Sequence, residues 1–166
     1  MHARLLVVSA FAVSIVGTVC ESQPSPVKVT RQQFRQLEWI AGTWRGSGGA
    51  YPAFFEEYRI LNDTTIKMRS FSDSTLRVAT DSSTIEWRNG SVQSRSARST
   101  YNVVEFSPSS VRFARPGVAT GGHTFARVSA DEWKATPASL FRERSGDDLH
   151  DASAETVVRM VRPRLT

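Results

Sequence analysis

The side chains of this chain that could do chemistry are few and scattered. Beyond its first two dozen residues it carries two histidines, His123 and His150, and, besides Asp147-Asp148, two adjacent acid pairs, Glu56-Glu57 and Asp131-Glu132. General acid–base work needs two carboxylates converging on one substrate, whereas neighbours on a strand point to opposite faces. Neither pair meets that requirement by itself. Serines are numerous, yet none lies in a Gly-x-Ser-x-Gly elbow. Asp147, Asp148, His150 and Asp151 form the densest set of metal-type ligands. Their spacing matches no calcium loop, and Gly146-Asp147-Asp148 is ordinary turn chemistry, so no metal site is expected. His123 follows Gly121-Gly122 at the start of an expected strand, which predicts an imidazole at a rim. No catalytic motif emerges, and the reading leans away from an enzyme.

The elements around these residues are short and regular. Thr30 with Gln33 three residues on is a capping-box pattern, and Phe34, Leu37 and Ile40 recur every three residues as an apolar stripe suited to cover a barrel end. Gly42 stops that helix. From Thr43 onward the chain reads as strands separated by turns. Phe54 to Leu61 closes at Asn62-Asp63, and Thr65 to Phe71 alternates. Leu76-Arg77-Val78 starts a further alternation, and Ile85 and Trp87 precede Asn89-Gly90, a strong hairpin turn. Val92 to Ser96 is polar and weakly alternating, the pattern of an edge or widely exposed strand. Val103–Phe106, Val111–Ala114, Thr124–Val128, Glu132–Ala135, Leu140–Arg144 and Thr156–Val161 complete the set. Roughly ten short strands without intervening helices predict an all-β, antiparallel barrel with one short N-terminal helix.

Closing the strands into a barrel would turn one face of each inward. Phe54, Tyr58, Ile66, Met68, Val78, Trp87, Phe113 and Phe125 are the side chains expected there. They would line a cavity for a small hydrophobic or amphipathic ligand, or else fill the interior by themselves.

The stretch Leu37-Glu38-Trp39-Ile40-Ala41-Gly42-Thr43-Trp44 resembles the Leu-x-Trp-Leu-Ala-Gly-x-Trp opening of uncharacterised exported bacterial barrels. With Arg45-Gly46-Ser47-Gly48-Gly49-Ala50-Tyr51-Pro52 and the following Glu56-Glu57, it also resembles the nitrobindin-like haem-binding barrels of the wider calycin (lipocalin-like) architecture. The match covers residues 37–57. It implies that Trp44 plugs the closed end of the barrel with a C-terminal arginine, Arg159 or Arg162, across its indole. Nitrobindin-like barrels hold haem iron through a histidine on the last part of the barrel. Here Glu155 to Pro163 has none, so the resemblance carries the fold and not the cofactor. Haem b remains an alternative, with His123 or His150 as its ligand and peroxidase or nitric-oxide-related chemistry as its activity.

Compartment and charge complete the reading. Arg4 precedes an almost wholly apolar run from Leu5 to Val19, and polar and proline residues follow. This order predicts an export signal over residues 1–22, a tether over 23–29 and one barrel domain over 30–166, in a periplasmic or secreted protein. Cys20 is the alternative lipidation site of a lipoprotein. The net charge of +5 is carried almost wholly by arginines spread along the chain, which predicts a solvated exterior and no nucleic-acid site. An anionic envelope surface is the alternative partner of that exterior, acting on a filled barrel.

Overall fold

The computed structural model describes residues 24–48, 51–118, 121–137 and 157–163. The expected export signal with Cys20, the expected strand Leu140–Arg144 and the acidic turn with His150 lie outside them.

The chain enters through a short α-helix, α1 (Arg31–Arg35), continued by a 3₁₀ turn over Gln36–Ile40. Thr30 caps α1 as its sequence predicts. Its hydroxyl accepts from the Gln33 backbone, and the Gln33 side chain accepts from the Thr30 backbone. A three-residue apolar spacing suits 3₁₀ geometry, which puts i and i+3 on one face. Phe34, Leu37 and Ile40 are accordingly buried together.

Strands β1 (Gly42–Gly48), β2 (Tyr51–Asn62), β3 (Thr65–Phe71), β4 (Ala79–Arg88) and β5 (Ser91–Ser96) follow. After them come β6 (Thr100–Ser107), β7 (Ser110–Ala114), β8 (Gly122–Arg127), β9 (Glu132–Pro137) and β10 (Val158–Val161). Each pairs antiparallel with its neighbours in sequence, and β1 pairs with β10, so these ten strands close into a barrel. Closure leaves no open edge. The polar strand β5 is therefore not an edge: it pairs with β4 on one side and β6 on the other.

One end of the barrel is shut by a packed core. Phe34, Leu37 and Ile40 lie there with Trp44, Ile66, Ile85, Val92, Val103, Val111, Trp133 and Met160. The segment expected as a tether belongs to this end. The Val27 and Val29 amides donate to the carbonyls of Val103 and Gly90, both at 3.0 Å, and Val29 is 1% exposed. Pro24 and Pro26 forbid helix but not an extended run, and alternate valines give that run a face to bury.

The plug itself is Trp44. Its indole N–H donates to the Ile40 carbonyl at 2.7 Å, and the Arg162 guanidinium lies 4.4 Å from the ring centre. Gly42, at φ +116°, makes room for that arginine: a Cβ there would collide with the Arg162 guanidinium. Arg159 does not take this place. Met160 points inward, so strand alternation sends Arg159 outward, where it grips Glu132 through two 2.8 Å hydrogen bonds. Arg162 shares the parity of Met160 and, lying just past the strand end, folds over the barrel floor.

Candidate ligand-binding cavity

Above the packed floor the barrel holds a cavity of about 340 Å³. Its wall is largely apolar, and its acids and most of its serines lie on one side. The arc β2–β5 contributes the acids Glu56 and Asp81 and the serines Ser83, Ser94 and Ser96 alongside Phe54, Tyr58, Met68 and Ile85, and Ser99 lies just beyond it. The arc β6–β10 contributes Tyr101, His123, Phe125, Trp133, Ala135, Val158 and Met160. Five successive strands span half of a ten-stranded barrel, so the polar and aromatic sides face each other.

Strand alternation builds the polar side. On β2, Phe54, Glu56 and Tyr58 share the inward face, and Glu57 points out. The two neighbouring acids thus have separate fates. Glu57 sits between Arg59 and Arg69, pairing with the first at 2.7 Å and with the second by two hydrogen bonds. Partial burial raises its pKa, but those arginines more than offset this and hold it below the usual carboxylate range. Glu56 accepts from the Tyr58 hydroxyl at 2.8 Å and from the Ser70 hydroxyl at 3.3 Å. Burial pushes its pKa up, the two hydroxyl bonds pull it part of the way back, and the nearby charge of Asp81 pushes it up again. Burial and the neighbouring carboxylate push the Tyr58 phenol well above its usual value.

The aromatic side is a chain of ring contacts. Trp133 meets Trp44, Tyr58 and Trp39 edge-on, with centroids 5.9–6.2 Å apart, and Phe125 at 4.8 Å. Its indole N–H is buried and has no hydrogen-bond acceptor among the described residues. His123 rests on Phe113 and Phe125, both at 4.8 Å, with Tyr101 at 5.2 Å. Burial among these rings lowers its pKa to about 4, so the imidazole is neutral at physiological pH.

Of the eight side chains expected to line the interior, Phe54, Tyr58, Met68 and Phe125 do so. Four stand elsewhere. Ile66 points inward but lies in the packed floor. Phe113, with no exposed surface, points inward like its cross-strand partner His123 but is packed into the core. Trp87 has passed the end of the cavity; its N–H donates to the Val29 carbonyl at 2.6 Å, and Arg31 covers its ring at 5.1 Å. Val78 is 75% exposed, because β4 starts one residue later and its inward positions are the odd-numbered ones. Leu76, at φ +53°, has already broken the alternation that the sequence suggested.

Glu56, Tyr101 and Trp133 are lining residues that the apolar pattern missed. The signal for Glu56 was present: it lies two residues from Tyr58 and so shares its face. The other acid pair does not converge either. Asp131 meets Arg162 at 3.4 Å, and Glu132 is held by Arg159.

No protein-family model matches the chain, and no curated protein matches it significantly.

Proposed function

We propose that this protein is a non-catalytic container that holds a small amphipathic molecule inside its barrel. The observation carrying this reading is the cavity of about 340 Å³, largely apolar, with two acids and several serines gathered on one side. A closed barrel that needed only stability would fill its interior with apolar side chains. Here serines and two carboxylates occupy inward positions, where they weaken packing and serve a bound polar group. Export is part of the same proposal and rests on the positive start and apolar run before Cys20.

Haem does not fit this lining. A neutral His123 offers an imidazole, but Glu56 and Asp81 would repel the anionic propionates, and no Lys or Arg among the described residues lines the cavity to offset them. The arginine exterior is the weaker alternative, since many of its guanidiniums already face acids: Arg31 with Asp63, Arg88 with Glu86, Arg112 with Glu105.

A neutral solvatochromic dye, N-phenylnaphthylamine, tests interior binding without regard to charge. Saturable enhancement at one dye per chain is expected, and Met68→Trp should abolish it while circular dichroism stays unchanged. No enhancement, or enhancement that Met68→Trp leaves intact, overturns the reading.

A further inference from the structure

The charge of the cavity is opposite to that of the chain around it. The protein carries +5, yet among the described residues the ionisable acids lining the cavity are Glu56 and Asp81, with no Lys or Arg beside them. A buried carboxylate is normally matched by a cation. Among the described residues Glu56 has only hydroxyl partners, one on each oxygen, Ser70 on Oε1 and Tyr58 on Oε2. A carboxylate has about four acceptor sites, so roughly two remain open. Across the barrel stand Tyr101, whose ring already has the Arg115 guanidinium 5.7 Å from its centre, and Phe125 and Trp133, whose ring faces attract cations and whose bodies suit an apolar ligand.

Building on the container reading above, we propose that the ligand is an organic cation: a protonated amine on an aromatic or alkyl body, its ammonium at Glu56 and its apolar part against the aromatic side. Asp81, exposed at the solvent side of the lining, supplies a second negative charge on the way in. A hard metal cation is a different occupant and suits the site less. It takes six to eight oxygen ligands, and this wall is largely apolar.

Phenylbutylamine, phenylbutanol and phenylbutyrate share one apolar body and differ in the charge of the head group. Calorimetric titration at neutral pH should find the amine about tenfold tighter than the alcohol, the expected gain from a charge-assisted hydrogen bond, and the carboxylate weakest. Glu56→Gln should bring the amine to the level of the alcohol and leave the alcohol within about twofold. Asp81→Asn, a change at an exposed position, should weaken the amine alone and to a smaller degree. Equal or tighter binding of the alcohol, or an amine preference that survives Glu56→Gln, overturns the proposal. If none of the three binds while N-phenylnaphthylamine still does, the container stands and the cation is wrong. If the dye fails too, both fall.

Discussion

Tyr58 donates a 2.8 Å hydrogen bond to Glu56, its neighbour two residues back on the same inward face of β2. A buried phenol thereby satisfies a buried carboxylate, and the raised pKa values of both groups trace to that shared burial. Tyr58→Phe removes the donor and leaves the carboxylate short of a partner, which should destabilise the fold by about 1–3 kcal/mol. Glu56→Gln should act in the opposite sense. With its folded pKa above the unfolded value, Glu56 supports the fold below the unfolded pKa, near 4.5, and that support is lost as pH rises through the folded pKa. Glutamine does not titrate, so the variant should melt higher than the parent at neutral pH, and the gap should close in acid. Melting curves across that range check it; a lower-melting Gln variant at neutral pH would contradict the burial argument.

His123 gives a pH dependence of the reverse sign. Its folded pKa, about 4, lies below the usual 6.5, so the stability it contributes is complete above 6.5 and is lost as pH falls towards 4. The full loss is about 3 kcal/mol, at 1.36 kcal/mol per pKa unit. Urea unfolding of His123→Phe, which keeps a ring in the Phe113–Phe125–Tyr101 cluster, should lack this slope. Parallel pH profiles for parent and variant would show that the imidazole is not held neutral.

The plug makes a stability prediction at the opposite end of the barrel. Arg162→Ala removes the guanidinium from the Trp44 face and its hydrogen bond to the Ala41 carbonyl, and should destabilise by about 1 kcal/mol. Arg162→Lys should recover part of this. Arg159→Ala, which breaks an exposed ion pair away from the plug, should be nearly silent. Chemical denaturation of the three variants would rank them, and equal losses for Arg159→Ala and Arg162→Ala would count against the plug.

Gly46 controls the shape of the cavity. A methyl group at this position would overlap the ring of Phe54, which rests on the bare glycine backbone. Gly46→Ala should swing that ring into the cavity and lower dye capacity. Adding Phe54→Ala should restore capacity, a coupling that independent sites would not produce. Additive losses would place the Phe54 ring away from Gly46.

The strands, their turns and the helix that precedes them were legible in the chain. Alternation in β3, the Asn89-Gly90 turn and the Thr30–Gln33 capping box are local patterns, legible because strand period, turn geometry and cap bonds depend only on neighbours. The choice between Arg159 and Arg162 was not legible: it depends on which parity of β10 faces the core and on where that strand ends. Val78 failed because it precedes β4, whose inward positions are the odd-numbered ones, and the positive φ of Leu76 breaks the alternation before that strand begins. The polar side of the cavity was hidden because an inward serine and an outward serine look alike in sequence. The strand read as an edge or widely exposed, β5, instead carries Ser94 and Ser96 on the cavity wall. Only closure of the barrel set Glu56 across from Tyr101 and Trp133, residues 45 and more positions apart in the chain. That opposition arises from strand order around a ring, which no local pattern encodes.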